Sequence, residues 1–355
     1  MNLIDSAVPV REGDELDLRR VESFLKENIP GPTGDLRLDQ FPSGYSNLTY
    51  LVRSGERELV LRRPPPGKKA KTAHDMLREY RILKALKPVF PYVPTPLAYC
   101  DDLSIIGSPF YVMERIKGLI LRKDLPEGLQ LRAADASRLC ENLIGVLCEL
   151  HGLDYRAVGL EGFGKPQGYV RRQVEGWSNR YRDARTEDAP DYETVMRWLH
   201  DHMPADSDQP AVIHNDFKFD NVVLDPQNPL QIIGVLDWEM ATIGDPLMDL
   251  GGSLGYWVDR DDPQNMHLIR TLPTTAEGML TRRELVELYL TKTGRRIECF
   301  DFYLCFGFFR LAVIAQQIYY RYYHGQARDE RFKMLIVAVQ VLEEAALRVM
   351  EECLK

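Results

Sequence analysis

The residues best equipped for chemistry lie between His214 and Asp237. The run His214-Asn215-Asp216-Phe217-Lys218-Phe219-Asp220-Asn221 follows a short apolar stretch and precedes another, Val222-Val223-Leu224. A third apolar stretch ends at Asp237, before Trp238-Glu239. Phosphoryl transfer from ATP needs few side chains: a carboxylate to orient and deprotonate the attacking hydroxyl, oxygen ligands for Mg²⁺, and cations to absorb charge. Magnesium keeps several waters, so one or two carboxylates and an amide suffice. Asp216 suits the base, Asn221 offers an amide oxygen to the metal and Asp237 a carboxylate, while the Lys218 ammonium would neutralise the transferring phosphate. A hairpin would bring Asn221 and Asp237 together despite their separation in sequence. His214 is expected to orient the loop by bonding backbone near Asp237, not to move a proton. Taken singly, these are ordinary turn, cap and core residues. The joint order, H-x-D-x-x-x-x-N, strand, turn, strand, D, is far rarer than its parts.

These residues need elements to hold them. Apolar residues at Leu18, Val21, Phe24 and Leu25 predict a helix over 16–28, ended by Pro30-Gly31-Pro32. Short β-like runs follow at 37–41, 48–52 and 58–61, the last two joined by a Ser54-Gly55-Glu56-Arg57 turn. Then come a helix over 72–86 and strands at 97–100 and 110–116. The character changes near Gly118. Residues 133–151 form a strongly amphipathic helix, 162–168 a glycine-rich loop, and 170–184 and 192–203 further helices. After β-like runs at 212–213, 222–224 and 232–236, residues 281–353 are nearly all helix, with a break at 292–296. The class is therefore α+β in two lobes: residues 1–115 with a small antiparallel sheet, and residues 116–355, mostly helical, carrying the catalytic loop and the acceptor site. Clefts between lobes favour ligands.

The 355-residue chain is 45% hydrophobic and 28% charged, ordinary globular material. Its formal charge of −8 argues against bulk affinity for nucleic acid or anionic membranes. The six cysteines form no C-x-x-C pair and read as reduced core thiols of a cytoplasmic protein. No secretory signal is visible at the start of the sequence. The apolar stretch 302–320 is interrupted by Arg310, Gln316 and Gln317, and reads as a buried helix, not a membrane span.

The catalytic run resembles the aminoglycoside phosphotransferase and choline kinase-like family, which shares the protein-kinase fold. The resemblance implies ATP and Mg²⁺ as cofactors and a small-molecule hydroxyl as acceptor. The family's catalytic motif falls on His214, Asp216 and Asn221, and its second metal-binding Asp on Asp237. Its G-D-P-x-x-D-L-G stretch falls on Gly244-Asp245-Pro246-Leu247-Met248-Asp249-Leu250-Gly251, which would make Asp245 a support for the catalytic loop and Asp249 a structural contact. Residues 41–50 look like its phosphate-covering loop, with backbone N–H groups around Gly44, Ser46 and Asn47 meeting phosphate oxygens. The strand over 58–62 should carry an ATP-contacting lysine, but Arg62 stands there. Arginine is always charged and bridges two oxygens, with a reach and geometry unlike lysine's. It would pair with Glu79. Residues 110–118 resemble the hinge, whose backbone from Glu114 to Ile116 would bind the adenine edge.

One subgroup fits best. Arg62-Arg63-Pro64-Pro65-Pro66-Gly67, and Gly162-Phe163-Gly164-Lys165-Pro166 followed by Tyr169, Gln173 and Trp177, look like kinase-like proteins related to domains fused to acyl-CoA dehydrogenases. That implies a hydroxylated acyl-CoA or related metabolite as acceptor. Arg171, Arg172 and Arg180 are the side chains that would receive an acidic substrate. Two other readings compete. In one, the chain is a catalytically weak or inactive kinase-fold module that holds nucleotide, which the Arg62 departure slightly favours and the intact Asp216, Asn221 and Asp237 disfavour, because a pure binder has no need of all three. In the other it is a metal hydrolase, which lacks the several His ligands expected.

Overall fold

The computed structural model describes residues 4–31, 34–42, 47–65 and 75–353, with backbone alone at Cys353. In chain order the elements are β1 (Val8–Pro9), α1 (Leu18–Asn28), β2 (Leu36–Gln40), β3 (Leu48–Ser54), β4 (Arg57–Arg63), α2 (Met76–Leu86), β5 (Pro96–Cys100), α3 (Leu103–Ile106) and β6 (Phe110–Glu114). They continue with α4 (Ala133–His151), α5 (Tyr169–Ala184), α6 (Glu193–Asp201), β7 (Ala211–Ile213), β8 (Val222–Leu224), β9 (Ile232–Val235), β10 (Thr242–Gly244), α7 (Pro246–Leu254), α8 (Gln264–Leu268), α9 (Arg282–Thr293), α10 (Asp301–Tyr323) and α11 (Leu335–Cys353). The chain forms two compact units. The first is Met1–Ile120 with Val222–Ala241, and the second is Leu121–Asn221 with Thr242–Lys355. The β8–β9 hairpin thus belongs with the first unit, although the sequence reading drew it within 116–355.

The first unit is built on an antiparallel sheet in the order β1-β2-β3-β4-β6-β5. Side chains alternate faces along a strand. Tyr50, Val52, Leu59, Leu61, Phe110 and Val112 share one core with Val21, Phe24 and Leu25 of α1. Asp17 caps that helix by accepting from Arg19 N and Arg20 N. Val60 and Arg62 therefore point to the opposite face, where α2 packs against β5 and β6. Asp75 caps α2, and its buried stripe is Met76, Glu79, Ile82, Leu83 and Leu86. One carboxylate thus occupies a position in an otherwise apolar stripe. The hairpin is tied in by two backbone bonds, Leu119 N to Leu224 O at 2.9 Å and Leu224 N to Leu119 O at 2.8 Å. A Cβ on Gly118 would lie 2.3 Å from Leu224 O, so only glycine permits this approach.

In the second unit, α10 is mostly buried among α5, α6, α7 and α11. It is long and apolar enough to cross a bilayer, yet 72% of its most apolar window is buried within the chain, as a core helix requires. The α7–α10 contact is made by glycines. A Cβ on Gly307 would lie 2.0 Å from Gly251 O, and one on Gly255 2.7 Å from Gly307 O. β7 and β10 pair antiparallel, with Thr242 opposite Ile213 and Gly244 opposite Ala211.

Several expectations shift. β1, α3 and β10 have too few periodic residues to announce themselves. The helix predicted from 192 begins at Glu193, because Tyr192 takes the left-handed conformation (φ 56°). The first residues of the helix predicted over 72–86 lie outside the described residues. Cys100, Cys140 and Cys305 are buried thiols, but Cys299 is exposed, against the core reading. Burial pushes Cys140 up to about 12 and Cys148 up to about 11, so both stay protonated at neutral pH.

Candidate active site

In the first unit the strand parity of β4 delivers Arg62, only 7% exposed, to the α2 face. Its guanidinium donates to Glu79 Oε1 at 2.5 Å and to Asp237 Oδ1 at 2.9 Å, with Glu239 Oε2 at 3.9 Å. Asn47 Nδ2 donates to the same Glu239 oxygen at 2.7 Å. Burial works against the arginine's charge, but Glu79 foremost, with Asp237 and Glu239, more than offsets it and raises the group well above its ordinary range. Burial raises Glu79 above the ordinary carboxylate value even though Arg62 pulls the other way. Arg62 Nε and Glu79 Oε2 are buried with no hydrogen-bond partner among the described residues. Asp237 itself sits at φ 65°, a conformation sparsely used by residues other than glycine and held here by its surroundings.

Glu114 and Ile116 also lie in the first unit. Glu114 closes β6 opposite Leu59, and its N–H is used by Thr95 O at 2.9 Å. Gly44 and Ser46, expected to bind phosphate, fall outside the described residues. Asn47 is described, and it is the side chain, not only the backbone, that reaches the carboxylate cluster.

The second unit holds His214, Asp216, Lys218 and Asn221. Lys218 Nζ donates to both Asp216 oxygens at 2.9 Å. Asn221 Nδ2 donates to Asp216 O and Oδ2, each at 2.8 Å. With its nitrogen so used, the Asn221 carbonyl oxygen is the atom left for a metal. The Lys218 ammonium stands 4.2 Å from the centroid of the Tyr256 ring. Burial opposes its charge, but Tyr256, Asp216 and Asp220 outweigh burial and raise its pKa. Asp216 N donates to His214 Nδ1 at 3.2 Å, so in a neutral ring the proton lies on Nε2. His214 is fully buried and shapes its own loop.

Asp249 fastens that loop. Its carboxylate accepts from His214 N and Asn215 N, both at 2.7 Å, and from His151 Nε2 at 3.1 Å. Burial works against its charge, but bonding to His151, then the His214 backbone, holds it below the usual carboxylate range. Asp245 caps α7, accepting from Leu247 N at 2.8 Å. The roles suggested by the resemblance are thus exchanged: Asp249 supports the catalytic loop and Asp245 is the helix cap. Asn215 is left-handed (φ 63°), its side chain receives Tyr169 OH at 3.1 Å, and its carbonyl accepts from Arg310 at 2.5 Å.

The donor set fits magnesium better than zinc. Around Arg62 three carboxylates face one guanidinium, an anionic excess that suits a hard divalent cation with retained waters. Among the described residues no group of three His, Cys, Asp or Glu side chains converges as a closed metal cage. Glu239 and Arg310 escaped the sequence reading. Glu239 left no signal beyond standing two residues after Asp237, whereas Arg310 is the one charge in the helical run 302–320.

The family model for the phosphotransferase enzyme family, abbreviated APH, matches residues 37–283. Acyl-CoA dehydrogenase family member 10 of Mus musculus is 38% identical over 322 residues, covering 90% of this chain and 30% of that protein. The chain spans less than half the length of the curated relatives it matches. Among solved structures, a candidate aminoglycoside phosphotransferase from Ralstonia eutropha JMP134 superposes with a TM-score of 0.80 at 30% identity, covering 95% of this chain and 99% of the other. Choline kinase from Cryptosporidium parvum gives 0.63 at 14% identity over 95% and 96% of the two chains, a likeness of fold alone.

Proposed function

The chain belongs to the phosphotransferase enzyme family, and from that premise we propose that it transfers a phosphoryl group from ATP, with Mg²⁺, to a hydroxyl of a small metabolite. The observation that carries this reading is Asp216, half-sequestered between Lys218 and Asn221 on a loop whose backbone Asp249 fixes. Asp216 would accept the acceptor's hydroxyl proton, and Lys218, beside it, would offset charge on the transferring group. Arg62, Asn47 and the backbone near Gly44 and Ser46 would hold nucleotide phosphates, and the backbone from Glu114 to Ile116 the base. Asn221 and Asp237, with Glu239, would hold the metal, which when bound neutralises phosphate charge. The likeness to acyl-CoA dehydrogenase family members supports a hydroxyacyl-CoA or related compound as acceptor. Protonated Cys140 and Cys148 suit a reducing compartment such as the cytoplasm.

A second reading, a nucleotide-holding module without turnover, draws support from Arg62, which stands where lysine was expected and is engaged by Asp237. A screen of hydroxylated metabolites, hydroxyacyl-CoA thioesters included, for ADP formation separates the two, with Asp216→Ala as control. Melting temperature with ATP, with and without Mg²⁺, reports binding independently, because a ligand that binds only the folded state raises stability. ADP formation lost in the control supports the kinase. Stabilisation by ATP without ADP formation supports the module.

A further inference from the structure

Helices α5 and α10 carry cations that the reaction does not need. Arg171 pairs with Glu175 at 3.8 Å, and Arg172 is spent on the carbonyls of Lys165 and Gln167. Arg180, on the same helix α5, is exposed and has neither a hydrogen bond nor a carboxylate within 4 Å among the described residues. Its guanidinium lies 4.6 Å from the centroid of the Trp177 ring, and that of Arg310 lies 5.3 Å from the same centroid. Arg310 is 5% exposed, and among the described residues it hydrogen-bonds Asn215 O alone, one residue before Asp216. α7 makes room for it: a Cβ on Gly252 would stand 3.3 Å from Arg310 Nη1.

Two guanidiniums on one indole repel each other, and neither has a carboxylate partner among the described residues. The chain has 53 acidic residues against 45 basic ones, so partners of opposite sign were plentiful. Partial desolvation of a side chain that still reaches solvent, then the charge of Arg310, lowers Arg180 from its ordinary range. An anion meeting both forks would relieve that repulsion, as arginine meets carboxylate or phosphate. Arg310 bonds the loop at Asn215, beside Asp216 and not on it, so the anion would sit apart from the reacting hydroxyl.

We propose that Arg180 and Arg310, stacked about Trp177, form an anion subsite for the acceptor, so that the substrate carries a carboxylate or phosphate at a distance from the hydroxyl that is phosphorylated. This rests on the phosphotransferase reading of Asp216. The test uses unreactive acceptor analogues in neutral and anionic pairs, measured by calorimetry on the full chain with saturating ADP and Mg²⁺. The pairs are hexanoate against hexanamide, and hexanoyl-CoA against the N-acetylcysteamine thioester. At least one anionic member should bind about tenfold tighter than its neutral partner. Arg180→Ala should erase that difference and Arg180→Lys restore part of it. Discrimination in the first pair alone identifies a carboxylate, and in the second alone the phosphates of CoA. Equal binding within both pairs, or a difference that survives in Arg180→Ala, overturns the subsite. The hydroxylated counterparts, assayed for ADP, test the other premise separately. Binding that discriminates, without ADP from any of them, rejects the phosphotransferase reading for these acceptors and leaves the subsite standing.

Discussion

At the scale of single residues, the two constellations predict different defects. Asp216→Ala should abolish ADP formation while leaving nucleotide-induced stabilisation in place, because in the proposed reaction Asp216 would meet the acceptor and not the nucleotide. Asp237→Ala should instead weaken the part of that stabilisation that depends on Mg²⁺, read by melting with and without the metal. Glu79→Ala leaves Arg62 buried with Asp237 as its remaining close partner. Breaking such a pair costs about 3–5 kcal/mol, and the surviving Asp237 bond puts this case near the low end, measurable by urea unfolding. The carboxylate and amide of the catalytic run were legible because their spacing is rare. Glu239 was not, because its place beside Arg62 depends on the turn at Asp237, whose left-handed backbone no pattern of residue types announces.

At the scale of elements, α7 is the part that fixes the catalytic loop. It carries Asp249 on one side and meets α10 through Gly251, Gly255 and Gly307 on the other. Gly307→Ala would force the two helices apart and should destabilise by about 1–3 kcal/mol, the usual cost of overpacking. The same variant should lower ADP formation, since α10 also carries Arg310. The pH dependence follows from Asp249, whose folded-state pKa is depressed. The stability it contributes is in place above its unfolded-state value of about 3.9 and is lost as pH falls through the lower folded-state value. Asp249→Asn should therefore flatten the fall in urea midpoint between about pH 5 and pH 3, besides loosening the loop. The long helices and the central strands could be read from their periodicity. β10 could not, because its three residues acquire strand character only by pairing with β7. The exchange of roles between Asp245 and Asp249 was equally hidden, since sequence alone does not say that Asp245 caps α7 while Asp249, one turn inside it, reaches the loop backbone.

At the scale of the molecule, the units are interleaved in sequence: the chain passes between them after residues 120, 221 and 241. The division at 115 drawn from composition misses this, because a change of composition marks one boundary and cannot mark a return. Residues 1–120 made alone would lack the hairpin, and with it Asp237 and the buried Trp238 that meets Phe90 at 6.0 Å. They should melt without a cooperative transition. The same residues joined to 222–241 by a short Gly/Ser linker across the Leu119–Leu224 bridge should recover one, followed by the fluorescence of Trp238, the single tryptophan in that fragment. The apolar length of α10 bears on biosynthesis. A ribosome extrudes those 23 residues ahead of α11, one of their main covers, which is then still inside the exit tunnel. The newborn chain therefore presents a segment that translocation machinery or a holding chaperone could recognise. A message cut short between 324 and 334 would fix it in that state, yielding insoluble or degraded protein while every catalytic side chain was present.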